Sequence, residues 1–314
     1  QVKEPGAIVL SARLLGEILR RMPDDVVSIS ADAGCSVHIA CGPTSFDIMG
    51  SSDEDFPELP SVGEGNVLTL AQGALRSMIG QTIFAVSDNE SRPIHTGALF
   101  EGDGKQLSVV AVDGYRLALR REELTAQSST EPVSFVVPGA ALNEVEKICA
   151  DSDDPVTITQ GERHVTFEVG GTLLVARRLE GEFLNYRQTI PRNNTIVLEA
   201  DCADLQRSID RASLIINDKL KSPLRCKFED GLLSITSKTA IGAAFDQCPI
   251  TGDGKGLEIG FNNRFLMDAV KAAPASRVRL ELNTATAPCL LLPLEGEADN
   301  FLYMVLPVRL RAGE

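Results

Sequence analysis

The sequence predicts an α+β protein built from a repeated β-α-β-β-β unit. Two observations support this class. A short apolar strand leads into an amphipathic helix, two or three strands follow that helix, and the same order recurs along the chain. Gly, Asp and Asn separate alternating apolar and polar runs such as VRLEL at 278–282, a pattern typical of half-buried strands joined by turns.

The first unit contains a helix at 11–22. Ser11 is suited to cap the free backbone amides at the start of this helix. The apolar stripe that predicts the helix consists of Leu14, Leu15, Ile18, Leu19 and Met22. The strands of this unit are expected at 8–10, 26–30, 36–40 and 45–49.

A second unit has a helix at 138–150 after the strand FVV, and a third has a helix at 262–273 after the strand IGF. Pro138 suits a first helical turn, and Asn262 is suited to an N-cap. The remaining strands of these two units are expected at 156–160, 163–169, 172–179, 278–282, 289–294 and 301–308.

Two further units of similar design lie between these copies, with helices at 70–83 and 201–216. We expect one unit of each kind to pair into a domain. The predicted domains are 1–62, which forms the second half of a first domain, then 63–191 and 192–314. The first half of the first domain is expected to be absent from this sequence, which starts at Gln rather than Met.

Two proline-containing segments, at 55–62 and 183–194, are expected to be extended linkers between the domains. Both lie where a domain of this repeat scheme would end. Proline favours an extended backbone in the residue before it, so neither segment is expected to continue a helix.

The composition is that of a globular protein, with 43% hydrophobic and 24% charged residues among 314. No apolar run reaches the roughly 18 residues that a membrane span requires. The seven cysteines are odd in number and have no CxxC spacing, so neither a disulfide framework nor a zinc site is predicted. Cysteines used as small core residues indicate a reducing compartment, and the cytoplasm is expected.

The net charge of −14 argues against a nucleic-acid partner when it is considered alone. However, the five predicted helices together carry a small positive charge, on faces opposite their apolar stripes; Arg76 lies on the flank of its helix. Sparse cations without base-reading groups give weak, salt-sensitive contacts with phosphates of any sequence. The residues predicted to face DNA are Arg13, Arg20, Arg76, Lys147, Arg207, Arg211, Arg264 and Lys271.

Four segments resemble the bacterial DNA polymerase sliding clamps, the beta subunits of DNA polymerase III. AVDGYRLALR at 111–120 resembles the family's ATDGHRLA, and GEFLNYRQTIP at 181–191 resembles its linker GRFPDYRRVLP. FNNRFLMDAVKA at 261–272 is similar to the helix FNVSYVLDVLNA, and FLYMVLPVRL at 301–310 is similar to the ending AYVVMPMRL. The matches follow the family's order and spacing, so the chain is identified as a member.

The resemblance implies a DNA-clamp fold with three similar domains per chain. A head-to-tail homodimer would close into a ring around double-stranded DNA, with helices lining the hole and sheets outside. The implied function is that of a processivity factor that tethers DNA polymerase III subunits, the clamp loader and repair polymerases through short Gln/Leu/Phe peptides. No catalytic residue, cofactor, metal or membrane partner is implied.

The family's peptide pocket lies between the second and third domains. By motif position it would include Val112, Gly114, Tyr115, Arg116, Leu117, Leu184, Gln188, Thr189, Asn262, Phe265, Pro288, Met304, Val305, Leu306, Pro307, Val308 and Arg309. An apolar cleft with a few polar groups at its rim suits such a peptide. Val112, Leu117 and Met304 are equally consistent with ordinary core.

The chain departs from the family pattern at several pocket positions. His95 stands where a pocket leucine is frequent, and Leu184 replaces the proline of the linker. Gln188 and Thr189 replace Arg-Val in the same linker, and residues 311–314 extend past the usual terminus. These differences bear on the peptide preference of the pocket.

The ring interface is implied by the segment ASLIINDK at 212–219, in which Leu214 and Ile215 would seal the dimer against Phe46 of the other subunit. All three residues are also consistent with core positions.

The two alternatives to a clamp are an enzyme and a clamp-fold protein that does not encircle DNA. An enzyme is disfavoured because the three histidines are dispersed and no GxSxG, P-loop, Rossmann or HExxH motif is present. Asp113, Tyr115 and Arg116 are more simply explained as a turn between strands. The sequence does not distinguish a sliding clamp from a clamp-fold protein that binds partners without encircling DNA, because both would use the same fold.

Overall fold

The computed structural model describes residues 1–58, 60, 65–127, 132–217, 219–220 and 222–310. The chain divides into two compact units, Gln1–Pro60 and Ser61–Glu314. In the described ranges, no helix is long and apolar enough to cross a membrane.

The first unit packs one helix against a three-stranded antiparallel sheet. Its elements are α1 (Ala12–Arg21), β1 (Ser28–Ala31), β2 (Ser36–Cys41) and β3 (Thr44–Met49), with the strand order β1-β2-β3. The core joins Ile18 of the helix to Val37 and Ile39 of the central strand. The predicted N-cap is confirmed, since Ser11 Oγ accepts a hydrogen bond from the Leu14 backbone N–H at 3.4 Å.

The apolar stripe predicted for α1 is only partly covered. Ile18 is buried and Leu15 is half-buried, whereas Leu14 and Leu19 are 45% and 41% exposed. The helix therefore packs through the middle of its stripe, and the two flanking leucines stay accessible.

The second unit contains both remaining predicted domains. Its helices within the described ranges are α2 (Gln72–Gly80), α3 (Gly139–Ile148), α4 (Tyr186–Thr189), α5 (Cys202–Ser213) and α6 (Asn263–Ala272). Its strands up to the linker are β4 (Asn66–Ala71), β5 (Gly97–Gly102), β6 (Gln106–Val112), β7 (Arg116–Glu123), β8 (Ala126–Gln127), β9 (Val133–Pro138), β10 (Pro155–Gln160), β11 (His164–Val169) and β12 (Thr172–Arg177). The later strands are β13 (Ile196–Asp201), β14 (Leu224–Thr239), β15 (Gly242–Phe261), β16 (Arg277–Leu282), β17 (Cys289–Leu292) and β18 (Phe301–Val305).

These strands form two sheets. One has five strands in the order β12-β11-β10-β4-β8, and the other has ten in the order β14-β15-β13-β16-β17-β18-β7-β6-β5-β9. The larger sheet joins the two predicted domains because β18 pairs with β7 in antiparallel register, from Phe301 opposite Arg120 to Val305 opposite Arg116. Strand pairing across this junction explains why residues 61–314 form one unit.

Apolar residues cover both faces of the larger sheet near this junction. Successive residues of a strand point to opposite faces. Tyr303 and Val305 of β18 therefore join the main core, whereas Leu302 and Met304 join a second apolar cluster. The main core lies under the helices, which meet in the pairs α2 with α3 and α5 with α6. The second cluster is closed by Tyr186 of α4.

Most predicted helices are confirmed with ends shifted by a few residues. The largest shift is in the helix predicted at 70–83, which begins at Gln72 because Leu70 and Ala71 pair with Val156 and Pro155 of β10. That helix ends at Gly80, and Ile83–Ala85 form a separate 3₁₀ turn.

The linker at 183–194 was predicted to be extended, and this is wrong at its centre, where α4 forms one helical turn. The reason is tertiary: Tyr186 is buried, and its hydroxyl donates to Glu101 Oε2 at 2.7 Å. Part of the linker predicted at 55–62 lies outside the described residues, and Asp53–Asp55 form a 3₁₀ turn.

Candidate functional site

The turn between β6 and β7 lies at the junction of the two predicted domains. Asp113 Oδ1 accepts hydrogen bonds from the backbone N–H groups of Tyr115 at 2.8 Å and Arg116 at 3.0 Å. Gly114 has a φ of +91°, which glycine adopts without steric cost. The turn leaves the Tyr115 ring 63% exposed at the surface.

Arg116 connects this turn to helix α6. Its Nε donates to Asp113 Oδ2 at 2.8 Å, and its Nη1 donates to Asp268 Oδ2 at 2.5 Å. The guanidinium lies 4.4 Å from the centroid of the Phe265 ring and 5.3 Å from that of Phe84. Two carboxylates thus balance the charge of Arg116, so this residue holds the β6–β7 turn against helix α6.

Phe265 is also stacked on Tyr115, with ring centroids 5.9 Å apart and planes 26° apart. Phe265 belongs to α6 and Tyr115 to the β6–β7 turn, so the aromatic pair forms a surface shared by both predicted domains. Such a surface supplies large contact area with few rotatable bonds.

The segment after β18 borders the same surface. The Leu306 backbone N–H donates to the Tyr115 carbonyl at 2.9 Å, and the Val308 N–H donates to the Gly260 carbonyl at 2.7 Å. A Cβ at position 260 would lie 2.5 Å from the Val308 carbonyl oxygen. Glycine is therefore required at 260 for this close approach.

A cavity of about 390 Å³ opens beside α6. Its described lining residues are Ile216, Asn217, Ser222, Pro223, Asn262, Asn263, Arg264, Phe265 and Val308. Asn262, Phe265 and Val308 were predicted for the peptide pocket, and the structure brings them together. Arg264, predicted to face DNA, also lines this cavity.

The other five lining residues were not predicted. Ile216 and Asn217 follow α5, Ser222 and Pro223 precede β14, and Asn263 is the first residue of α6. The two loop pairs are distant in sequence from α6, and no local spacing indicated that they meet it. Their only sequence signal was proximity to the ASLIINDK and FNNRFLMDAVKA segments.

Several predicted pocket residues are buried beneath the surface and do not line it. Val112, Leu117, Met304 and Val305 are at most 7% exposed. The first three belong to the second apolar cluster, and Val305 belongs to the main core. Their side chains therefore support the surface, while Tyr115 and Val308 are accessible from solvent.

The remaining predicted pocket residues border the junction less closely. Leu184, Gln188 and Thr189 are exposed on and beside α4, and Pro288 is half-buried next to Cys289, which pairs with Val305. Leu306 and Pro307 are half-buried, and Arg309 is exposed.

His95 lies in the 3₁₀ turn Pro93–Thr96, with its ring edge-on to Phe183 at a centroid distance of 5.5 Å. Phe183 packs against the second apolar cluster. Burial, and then the nearby charge of Arg92, lower the pKa of His95 below its usual 6.5.

All eight residues predicted to face DNA are exposed. Four of them are paired with nearby carboxylates: Arg13 with Glu17, Lys147 with Glu144, Arg207 with Asp204 and Arg211 with Asp246. Arg20, Arg76 and Lys271 form no ion pair with any carboxylate that the structure describes.

The residues predicted for the dimer interface differ in exposure. Leu214, at the end of α5, is 79% exposed, and Phe46 of the first unit is 37% exposed. Ile215 is half-buried. Leu214 is therefore not a core residue.

The repeated α+β units, joined through one ten-stranded sheet, define the DNA-clamp class of fold. Family models for the N-terminal, central and C-terminal domains of the DNA polymerase III beta subunit match residues 1–60, 69–185 and 187–309. The chain belongs to the DNA polymerase III beta subunit family. It is a DNA sliding clamp and not an enzyme.

Relatives and solved structures agree with this assignment. The chain is 30% identical over 311 residues to the beta sliding clamp of Staphylococcus epidermidis, covering 98% of this chain and 81% of the relative. A putative DNA polymerase III beta subunit structure from Eubacterium rectale is 33% identical, with a TM-score of 0.90, covering 99% and 84% of the two chains. The Bacillus subtilis sliding clamp is 28% identical, with a TM-score of 0.91, covering 99% and 82%.

Proposed function

We propose that this clamp acts as a head-to-tail homodimer that encircles duplex DNA in the cytoplasm and tethers replication and repair partners. Each chain would contribute two clamp domains, at 63–191 and 192–314, and the second half of a further clamp domain at 1–62. The observation that carries the proposal is the junction where β18 pairs with β7, because it joins two repeats edge to edge in one sheet. The same kind of joint between subunits would close a ring without leaving exposed sheet edges.

The exposed cations of the helices are the proposed DNA contacts. Arg20, Arg76 and Lys271 are available to phosphates, while Arg13, Lys147, Arg207 and Arg211 must first release a carboxylate. Contacts of this kind are weak and independent of base sequence. Weak contacts permit movement along DNA, and topology rather than affinity would keep the clamp in place.

The proposed partner site is the cleft beside Tyr115, Phe265 and the segment after β18. Its stacked aromatic pair and its cavity of about 390 Å³ suit a short peptide with Gln, Leu and Phe side chains. DNA polymerase III subunits, the clamp loader and repair polymerases are the proposed carriers of such peptides. A short linear peptide loses conformational entropy on binding, so we expect a dissociation constant on the order of micromolar.

The proposed dimer contact unites Leu214 and Ile215 of one subunit with Phe46 of the other. Leu214 is 79% exposed and Ile215 is half-buried. Burial of their apolar surface against a partner subunit would stabilise the dimer. Each chain would carry both halves of this contact, as a head-to-tail ring requires.

Analytical ultracentrifugation with negative-stain electron microscopy tests the assembly. We expect dimers with a central hole wide enough for duplex DNA. Monomers at micromolar concentration, or compact dimers without a hole, would contradict the proposed ring and favour a clamp-fold protein that binds without encircling.

A further inference from the structure

Three of the cations proposed to contact DNA are each paired with a carboxylate of their own helix. The pairs are Arg13 with Glu17 in α1, Lys147 with Glu144 in α3, and Arg207 with Asp204 in α5. Arg13 Nε lies 3.3 Å from Glu17 Oε1, and Lys147 Nζ lies 2.7 Å from Glu144 Oε1. The partners are three or four residues apart, so each pair lies on one face of its helix.

The carboxylates project from the same side of the helix as the cations. In α3, Leu142 and Val145 are buried, whereas the side chains of Glu144 and Lys147 are 59% and 67% exposed. Glu17 also lies 3.4 Å from Arg21 Nη1, so one carboxylate contacts two arginines of α1. A phosphate that approaches such a cation therefore also meets a negative charge.

Helix α6 shows that this pairing does not follow from the spacing alone. Asp268 precedes Lys271 by three residues, as Glu144 precedes Lys147. The Asp268 carboxylate is instead bound by Arg116 Nη1 at 2.5 Å. Lys271 consequently forms no ion pair with a carboxylate in the described ranges, so the helices carry both paired and unpaired cations.

A paired cation contributes less to DNA binding than an unpaired one. The phosphate must either displace the carboxylate or accept repulsion from it. A cation that already has a carboxylate partner also displaces fewer counterions from DNA when it binds, and counterion release supplies most of this kind of affinity. Exposed ion pairs are weak, so each carboxylate reduces the affinity without preventing the contact.

We propose that Glu17, Glu144 and Asp204 limit the affinity of the helix faces for DNA. Each phosphate contact must break before the protein can move along the duplex, so weaker contacts allow faster movement. The three carboxylates are then affinity-limiting residues of the sliding function. This inference rests on the proposed contact between the helix faces and DNA, and it adds the residues that keep this contact weak.

The triple variant Glu17→Gln, Glu144→Gln and Asp204→Asn tests the inference in the full chain. Affinity for a labelled linear duplex is measured by fluorescence anisotropy at several salt concentrations. We expect a gain of roughly twofold for each carboxylate, and so roughly tenfold in total, for every DNA sequence. The slope of log affinity against log salt should steepen by roughly 0.9 for each cation that newly neutralises a phosphate.

Two further variants separate the local pairing from the overall charge. The first is Glu90→Gln, Glu168→Gln and Asp230→Asn, which makes the same charge change at exposed carboxylates that form no ion pair in the described ranges. This variant should bind DNA within roughly twofold of the unaltered protein. The second adds Arg13→Gln, Lys147→Gln and Arg207→Gln to the triple variant and should abolish its gain. Denaturant unfolding checks that all of the variants are folded.

The outcomes distinguish the inference from the function on which it rests. An equal gain in the control variant, or a gain that persists without the three cations, would assign the effect to net charge and overturn the inference. If charge reversal at Arg20, Arg76 and Lys271 weakens binding but the triple variant does not strengthen it, the inference alone is wrong. If neither set of changes alters binding, the helix faces do not contact DNA and both proposals fail.

Discussion

Arg116 Nη1 lies 2.5 Å from Asp268 Oδ2, in an ion pair that links strand β7 to helix α6. The arginine side chain is 12% exposed and the aspartate side chain is 40% exposed, so the pair is partly shielded from solvent. The same guanidinium lies over Phe265, and Phe265 in turn stacks on Tyr115. The ion pair therefore holds the orientation of the aromatic surface proposed to bind peptides.

Asp268→Ala should lower both stability and peptide affinity. Loss of one partner leaves the guanidinium less well compensated, and we expect the free energy of unfolding to fall by about 1–2 kcal/mol. Peptide affinity should fall as Phe265 loses its fixed position. Denaturant unfolding and peptide anisotropy measure the two effects. Asp210→Ala, at an exposed position of α5, is the control, and equal behaviour of the two variants would refute the positioning role.

Gly260→Ala should displace the segment after β18 from its position beside the cleft. The added Cβ would meet the Val308 carbonyl oxygen at 2.5 Å, so the backbone hydrogen bond at 2.7 Å must open. We expect peptide affinity to fall roughly tenfold, about 1.4 kcal/mol, with DNA retention unchanged.

Gly171→Ala is the matched control for this change, because a Cβ at that position meets no atom within 4 Å. Unaltered peptide binding in Gly260→Ala would show that the docked segment does not form part of the site.

Charge reversal at Arg20, Arg76 and Lys271 should weaken DNA retention for every DNA sequence. These residues are exposed and unpaired among the described carboxylates, so folding stability should change by no more than about 0.5 kcal/mol per site. The slope of log affinity against log salt should decrease by roughly 0.9 for each phosphate that the variant no longer neutralises. Binding titrations at several salt concentrations check this, with Lys238→Glu as control. An unchanged salt slope would exclude these helix faces from DNA contact.

Leu214→Glu combined with Ile215→Glu should yield monomers. Two charges would be placed in an apolar contact, and we expect the dimer dissociation constant to rise at least roughly a hundredfold. Sedimentation velocity measures the shift. Val197→Glu introduces a charge at another exposed apolar position, 52% exposed on β13, and should leave the dimer intact. Dimers that persist in the double variant would remove this pair from the interface.

The lowered pKa of His95 predicts an effect confined to acidic pH. The folded state disfavours the protonated ring, so the unfolded chain binds more protons between the lowered value and 6.5. The free energy of unfolding should therefore fall as the pH drops below 6.5. Above pH 6.5, the contribution of His95 to this free energy should not change. If His95 lines the cleft, peptide affinity should change over the same window.

His95→Gln should remove both dependences in unfolding and binding titrations between pH 5 and 8. A pH profile of peptide binding that is identical in the variant would place His95 outside the cleft.

Local sequence signals predicted local structure well. Ser11 and Asn262 were predicted as N-caps, and both accept the expected backbone hydrogen bonds. These predictions are confirmed because an N-cap depends only on the helix that it begins. The start of α2 was missed because Leu70 and Ala71 are held in β4 by pairing with β10, far away in the sequence. The turn at α4 depends similarly on Glu101, 85 residues before Tyr186.

In the candidate site too, features set by local sequence were predicted and features set by distant contacts were not. Motif position indicated Tyr115, Arg116 and Phe265, which the structure brings into contact. The helical period indicated that Arg264 lies away from the packed stripe of α6. It could not indicate which surface Arg264 lines, because loops after α5 and before β14 form the opposite wall of the cavity.

Retention on closed circular DNA is the most direct test of whether the clamp encircles DNA. The full protein is loaded on a circular plasmid with its clamp loader, separated from free protein, and followed after the plasmid is cut once. Encirclement predicts stable retention on the intact circle and rapid loss after linearisation, with retention restored when both DNA ends are blocked by bound protein. Equal dissociation from circular and linear DNA would contradict encirclement and would leave a protein that binds DNA only by contact.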